Sequence, residues 1–214
     1  MTLLIYIDNI TAMLLLIVTA FVALIPIVST YYMREDARQG RVMVFMSLFI
    51  SRMLGLVLSD NLISFFIFWE LMGFCSYSLI GFYYEKEEAG NANIKAFMTT
   101  RIGDVFFLLG ILAIYFQVGS FTFVDIYAAI SSGMFTDATV SVFGFGLPLA
   151  LFASLAIFMG TIGKSAQFPL QVWLPDAMMG PTPCSALIHA ATMVAAGVYL
   201  SLRMFPLYEI HPFM

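Results

Sequence analysis

Long apolar runs separated by short polar stretches dominate the pattern of this chain. We read six candidate membrane segments from them, at about 10–32, 42–59, 61–84, 94–117, 140–177 and 183–205. Several of these runs approach or exceed the ~20 residues that cross a bilayer as a helix. Apolar and polar residues do not alternate along them, which favours helices over the strands of a barrel. The pattern therefore predicts an all-α fold, a polytopic transmembrane helical bundle that forms a single domain over residues 1–214.

Two interruptions refine this pattern near the end of the chain. Pro169 lies five residues after Lys164, lacks a backbone donor and clashes with the carbonyl of Ser165, so the segment at 140–177 is expected to be discontinuous. Thr182 and Pro183 fit the N-cap and the first position of the helix that follows. The stretch 118–139 is long and acidic, and it has room for a short surface helix.

Composition supports the membrane interpretation and excludes several other classes. The chain is 62% hydrophobic and 10% charged, whereas a soluble domain carries about 25% charged residues. No basic tract indicates a nucleic-acid partner, and no signal peptide is recognisable at the N-terminus. Cys75 and Cys184 lie inside apolar stretches and match neither a disulfide framework nor a zinc motif. No phosphate loop, metal-ligand cluster or haem motif is present, so we expect no metal or cofactor site in this chain.

The positive charges predict the orientation of the segments. The loops at 33–41 and 85–95 contain five basic residues, whereas the turn at 60–61 and the stretch 118–139 contain none. By the positive-inside rule, the two basic loops face the cytoplasm or the mitochondrial matrix.

Charged residues within the apolar segments are the candidates for function, because each costs about 2.5–3.5 kcal/mol at the bilayer centre. Glu70 lies roughly 14 Å into its segment at helical rise, and Gly73 on the same face permits a close neighbour. Glu70 could alternatively belong to a structural ion pair with no role in ion transfer. Arg101 and Asp104 share a helix face; they either pair with each other or pair with Glu70 and Lys164.

Lys164 and His189 flank the predicted break. A buried lysine releases its proton more readily because desolvation penalises its charged form, but Lys164 could equally snorkel from a helix end. His189 lies about 9 Å inside the last segment; it could pass protons or simply pack through a hydrogen bond. Arg203 is expected to snorkel at the end of that segment, and Arg52 has no explanation from its spacing.

Three motifs resemble a known family. They are "WELMGFCSYSLIGFYY", "TTRIGDVFFLLGILA" and "GKSAQFPLQVWLPDAMMGPTPCSALIHAATMVAAGVYL". Together they are similar to the antiporter-like membrane subunit 5 of respiratory complex I, NADH:quinone oxidoreductase, and the resemblance covers essentially the whole chain. Subunits of multi-subunit sodium/proton antiporters share the family and form the nearest alternative.

The resemblance implies a role for each candidate. Glu70, Lys164 and His189 would form a proton half-channel in which Lys164 is the carrier, while Arg101 and Asp104 tune or couple it. It implies no cofactor in this chain; NAD, FMN, iron–sulfur clusters and ubiquinone would belong to partner subunits. The chain is much shorter than a typical member, so we expect it to be one half of an inverted-repeat fold, as a split-gene product or a truncation. Other membrane-arm subunits, including one that supplies the second half, and membrane lipids would be its partners.

Three hypotheses follow. The first is a proton-translocating subunit in an energy-conserving membrane, with the mitochondrial inner membrane favoured over the bacterial one. The second is a subunit of a sodium/proton antiporter complex. The third is a non-conducting structural remnant within a membrane arm. Arg52, where the family often has a neutral residue, could answer an acidic group on a partner.

Overall fold

Helices make up most of the described chain. The structure, a computed structural model, describes residues 5–136, 138–142 and 145–211. Four long helices come first: α1 Asn9–Tyr32, α2 Gln39–Val57, α3 Leu62–Ile80, which runs on into a 3-10 turn at Gly81–Tyr83, and α4 Glu87–Val118. Side chains of the preceding residues cap two of them, because Asp8 accepts from the backbone of Thr11 and Asn61 accepts from that of Ser64.

The fourth helix begins earlier than the apolar pattern predicts. We expected a loop at 85–95 and a segment from 94, but α4 starts at Glu87. Glu87 and Glu88 occupy its first turn, where carboxylates are favoured by the positive end of the helix dipole. This first turn was not predicted because its residues are polar and the prediction followed apolar residues alone.

A short helix and a hairpin connect α4 to the next apolar helix. The predicted surface helix is present as α5, Phe123–Ser131. The prediction that a membrane segment starts near 140 is wrong, because β1 Thr139–Val142 pairs antiparallel with β2 Phe145–Pro148, and α6 Leu149–Lys164 follows. Pro148 explains the difference, since the residue before a proline is biased towards extended backbone.

The chain after α6 is broken and then restarts. Two 3-10 turns, at Gln171–Trp173 and Asp176–Met179, precede a helical stretch in three parts: α7 Thr182–Ala186, a π-helical turn Leu187–Thr192 and α8 Met193–Arg203. A final short helix is α9, Phe205–Tyr208. The predicted cap is shifted by one residue, because Pro181 holds the N-cap position and Thr182 already lies in the helix.

Within the residues that the structure describes, five helices are long and apolar enough to cross a membrane, namely Asn9–Tyr32, Gln39–Val57, Leu62–Tyr83, Glu87–Val118 and Thr182–Arg203. The apolar α6, with 16 residues, is shorter and stops at the break. The prediction of an all-α polytopic bundle is confirmed, with the small hairpin as an addition.

The basic loops meet at one end of the bundle. Arg38 donates from Nη1 to Glu85 at 2.7 Å, and this hydrogen bond lowers the pKa of the Glu85 carboxyl. At the other end, the amide of Phe123 donates to the carbonyl of Asp60 at 3.0 Å. The two chain segments that carry Arg38 and Glu85 therefore lie at the end of the bundle opposite the 60–61 turn, and which side of a membrane that end faces stays a prediction.

Glycines bring α4 and α6 into close contact. A Cβ atom built on Gly103 would lie 2.7 Å from the carbonyl oxygen of Met159 and 3.1 Å from the Cα of Gly163. Small residues at such crossings let helix backbones approach closely in membranes. The neighbouring positions, Asp104 on α4 and Lys164 on α6, are thereby brought face to face.

Candidate functional site

Lys164 lies fully buried at the last position of α6. Its side chain is 0% exposed, and its Nζ atom lies 3.3 Å from Oδ2 of Asp104, whose side chain is 2% exposed. Within the described residues, Nζ has no hydrogen-bond partner of good geometry. Lys164 does not snorkel: it faces a carboxylate in the interior of the bundle.

Two residues of α3 complete the surroundings of this pair. The indole Nε1 of Trp69 donates to Oδ1 of Asp104 at 2.6 Å, and the Trp69 ring lies 5.7 Å from Nζ of Lys164. A Cβ atom on Gly73 would lie 2.6 Å from Nζ, so the close neighbour expected at this glycine is the ammonium itself. Trp69 was missed in the sequence, where its only signal is its position beside Glu70.

The break after Lys164 comes from a helix cap. Ala166 adopts φ 50°, the left-handed conformation that glycine usually supplies just past a helix end. The amide of Gln167 donates to the carbonyl of Ile162 at 3.0 Å, which closes the cap. The predicted position of the break is therefore correct, but the helix has already ended before Pro169 is reached.

A carbonyl freed by the break is bound by protein. The indole Nε1 of Trp173 donates to the carbonyl of Gly163 at 2.9 Å, next to Lys164. Trp173 is fully buried, and its ring centroid lies 6.3 Å from that of His189. Trp173 thus connects the helix end with His189, a role that the sequence analysis did not anticipate.

His189 lies in the π-helical turn of the restarted helix. Such turns occur frequently at functional sites. Its Nε2 atom is buried without a hydrogen-bond partner among the described residues. The structure gives no direct contact between His189 and Lys164 in the described part of the chain, so a proton passing between them needs an intermediate group or water.

Hydroxyl groups join the two sides of the break. Ser165 donates from Oγ to the carbonyl of Val194 at 2.8 Å, and Thr161 donates to that of Gly197 at 3.2 Å. These bonds fix the end of α6 against α8, where a Cβ on Gly197 would collide with the Ser165 hydroxyl. The end of α6, which carries Lys164, is thereby joined directly to α8, the helix that follows the π-helical turn with His189.

Glu70 and Arg101 form a second ion pair, between α3 and α4. Arg101 donates from Nη1 to Oε2 of Glu70, with side chains 37% and 20% exposed. Among the two pairings left open by the sequence, the structure takes the crosswise one: Arg101 with Glu70 and Asp104 with Lys164. No ion pair joins Glu70 to Lys164 directly within the described residues, although Glu70 is within electrostatic reach of both Asp104 and Lys164.

Arg203 is the other deeply buried cation, and the prediction that it snorkels is wrong. It is 1% exposed and donates from Nη1 to Oδ2 of Asp8 at 2.5 Å. Its Nη2 atom donates at 2.6 Å to the hydroxyl oxygens of Thr11 and Tyr199. The guanidinium also lies 4.8 to 5.4 Å from the ring centroids of Tyr6, Tyr199 and Phe123. This cluster fastens the start of α1 to the end of α8.

The described side chains offer no metal site. No group of three or more His, Cys, Asp and Glu residues is arranged to hold an ion in residues 5–136, 138–142 and 145–211. An amine beside a carboxylate, as in Lys164 and Asp104, is a group that can bind and release a proton.

Comparison with known proteins places this geometry in a family. The family described as "NADH:quinone oxidoreductase/Mrp antiporter, TM" matches residues 59–214, which include all five candidate residues. The chain belongs to this family.

Relatives within the family are named for quinone oxidoreductases. The chloroplastic NAD(P)H-quinone oxidoreductase subunit 5 of Anthoceros angustus is 50% identical over 97% of this chain. Chain 5 of the Synechocystis sp. enzyme is 50% identical over 96%. The chain spans under a third of these relatives, 28% and 29% of their lengths.

A solved structure of the family has the same fold. The Mrp complex from Dietzia sp. contains a chain that superposes with a TM-score of 0.76 at 30% identity. The match covers 92% of this chain and 21% of that one. The chain is therefore similar to a part of a larger antiporter-like subunit, as the sequence motifs indicate. The chloroplast and cyanobacterial relatives leave the mitochondrial location a prediction.

Proposed function

We propose that this chain is a proton-translocating membrane subunit of a complex of the NADH:quinone oxidoreductase type. The observation that carries the proposal is the Lys164–Asp104 pair: a fully buried lysine at a helix break, 3.3 Å from a buried carboxylate. Ionisable side chains inside a membrane bundle mark ion and proton pathways, and broken helices surround the binding sites of transporters. The identity to relatives named quinone oxidoreductase favours this complex.

Lys164 would be the proton carrier and Asp104 the group that sets how tightly it holds the proton. A nearby carboxylate favours the charged amine, and loss of that negative charge favours release. Trp69 positions Asp104 by the hydrogen bond to Oδ1. The proposed half-channel then continues past Trp173 to His189.

Glu70 and Arg101 would couple this site to its surroundings. Opening the Glu70–Arg101 pair changes the field at Asp104 and Lys164, because Glu70 is within electrostatic reach of both. A change of charge that arrives from elsewhere in the complex could thereby drive proton release. In this proposal Arg101 and Asp104 are tuning residues and Lys164 is the one that moves the proton.

The rest of the complex would supply the redox chemistry. NAD, FMN, iron–sulfur clusters and ubiquinone belong to partner subunits in this proposal, and another chain or segment supplies the second inverted repeat. The clustered loops with Arg38 and Lys86 would face the cytoplasm, stroma or matrix, by the positive-inside rule.

The test is proton pumping by the assembled complex in sealed vesicles, with quinone reduction measured in parallel. Lys164→Ala should lower the number of protons moved per quinone reduced. Lys95→Ala is the matched control, because Lys95 pairs with Asp176 near the surface with 47% of its side chain exposed. Unchanged pumping by Lys164→Ala would contradict the proposal and favour a structural remnant.

A sodium/proton antiporter subunit is the second candidate, favoured by the superposition on the Mrp complex. The proteins that purify with the chain separate the two. Peripheral flavin and iron–sulfur subunits support the quinone oxidoreductase, whereas small membrane subunits alone support the antiporter.

A further inference from the structure

Thr192 ends the π-helical turn that contains His189, and its hydroxyl group makes an unusual hydrogen bond. The residue is fully buried, and its Oγ1 atom donates to the carbonyl of Leu187, five residues back, at 2.6 Å. Hydroxyl groups in helices ordinarily bond to a carbonyl three or four residues back, as Thr30 does to Pro26. The bond from Thr192 therefore belongs to a turn that is one residue wider than that of an α-helix.

The backbone of this turn has the same wide register. The amide of Met193 donates to the carbonyl of Ile188, also five residues back, which is the bonding of a π-helix. In an α-helical register the Thr192 hydroxyl would meet the carbonyl of Ile188 instead of that of Leu187, because the carbonyl within reach is then the one four residues back. The observed bond to Leu187 consequently stabilises the wide turn and not the α-helical alternative.

The register of the turn determines where the His189 side chain lies. A change of one residue in the register of a helix rotates the two sides of the turn against each other by about 100°. Hydrogen bonds to α6 fix α8, the helix after the turn, so the rotation acts on the turn itself and on the residues before it. In the wide register the His189 ring centroid lies 6.3 Å from that of Trp173, whose indole donates to the carbonyl of Gly163 beside Lys164. An α-helical turn would carry the imidazole away from Trp173.

We infer that Thr192 is a positioning residue for His189: its hydroxyl group stabilises the π-helical turn and thereby keeps the imidazole beside Trp173, at the break after Lys164. Thr192 does not carry the proton itself, because its one hydroxyl donor is bound to the carbonyl of Leu187. This inference rests on the proposed function, in which His189 receives the proton that Lys164 releases.

The direct test is the structure of the assembled complex with Thr192→Val, determined by electron cryo-microscopy at a resolution that shows side chains. Valine is close to threonine in shape but lacks the hydroxyl group. The turn at 187–192 should become α-helical and His189 should leave its place beside Trp173, whereas Thr192→Ser, which retains the hydroxyl, should keep both. A π-helical turn that persists in Thr192→Val, or is lost in Thr192→Ser, would overturn the inference. If Thr192→Val does not assemble, Thr192→Ala takes its place with the same expected result.

Proton pumping by the same complexes separates positioning from a purely structural role. The protons moved per quinone reduced should fall in Thr192→Val towards the ratio of His189→Ala, and Thr192→Ser should pump at the wild-type ratio. Thr192→Val should cause no further loss when it is combined with His189→Ala, because it acts through the imidazole.

Two results of the pumping assay contradict the inference. They are a further loss in the double variant, and full pumping by Thr192→Val where His189→Ala has lost it. Full pumping by His189→Ala itself contradicts the proposed proton route instead, while the structure of Thr192→Val still decides whether the hydroxyl positions His189. Failure of the inference and failure of the proposed function are therefore distinguishable.

Discussion

Lys164 and Arg203 are both buried cations that face an aspartate, yet their surroundings differ. Arg203 donates to Asp8, Thr11 and Tyr199 at 2.5 to 2.6 Å. Lys164 has a single ionic contact at 3.3 Å and no hydrogen-bond partner among the described residues. Arginine stays charged in proteins, whereas a buried lysine can lose its proton. A cation that donates to several acceptors fits an anchor, and one that has a single ionic contact with a carboxylate fits a carrier.

The largest expected effect is on stability, and it separates the two cations. Arg203→Met leaves Asp8 and two hydroxyls without their donor, and a hydrogen bond that involves a charged group is worth about 1.5–3 kcal/mol. Lys164→Met should cost less, because Lys164 has one ionic contact at 3.3 Å and no hydrogen-bond partner among the described residues. Equilibrium unfolding of the two matched variants in detergent measures the difference. Equal losses of unfolding free energy in the two variants would contradict the distinction between Arg203 as an anchor and Lys164 as a carrier.

A smaller effect is expected at the two tryptophans. Trp69→Phe removes a hydrogen bond to a charged group, worth about 1.5–3 kcal/mol, whereas Trp173→Phe removes one to a neutral carbonyl, worth about 1 kcal/mol. Both side chains are fully buried, so the ring replacement is otherwise matched. The same unfolding assay should rank Trp69→Phe as the more damaging. The reverse order would mean that Trp69 does not stabilise a charged Asp104.

The smallest expected effect is a pH dependence at the anchor. Burial raises the pKa of Asp8, but hydrogen bonds from Thr11 and Arg203 outweigh it, so the pKa lies below the ordinary 3.8. A depressed carboxyl pKa contributes stability that is present above the ordinary value and is lost as the pH falls through the folded one. The difference between the unfolding midpoints of the wild type and Asp8→Asn should therefore stay constant above about pH 5 and become smaller below about pH 4. A difference that persists unchanged at pH 3 would contradict this assignment.

The periodicity of the chain predicts its helices well and its long-range pairs poorly. The apolar runs locate the membrane helices, and the positions of Lys164 and Pro169 locate the break. The spacing of Arg101 and Asp104 places them on one face but cannot choose which of Glu70 and Lys164 each contacts. That choice depends on how α3, α4 and α6 cross.

The burial of Arg203 could not be predicted from the sequence. Its partner Asp8 lies 195 residues away, and no local pattern joins the two. The strands Thr139–Val142 and Phe145–Pro148 were missed for another reason, because the apolar residues in this part of the sequence continue into those of α6 and look like one apolar run. The Trp69 and Trp173 indoles were missed because an apolar ring in a membrane helix gives no sign of its hydrogen bond.

The most direct test of the central claim is Lys164→Arg in the assembled complex. Arginine keeps the positive charge beside Asp104 but does not release its proton at any physiological pH. The variant should assemble and reduce quinone while protons moved per quinone fall as far as in Lys164→Ala. Proton pumping at the wild-type ratio would contradict the account, because Lys164 would then act only as a fixed charge, as Arg203 does.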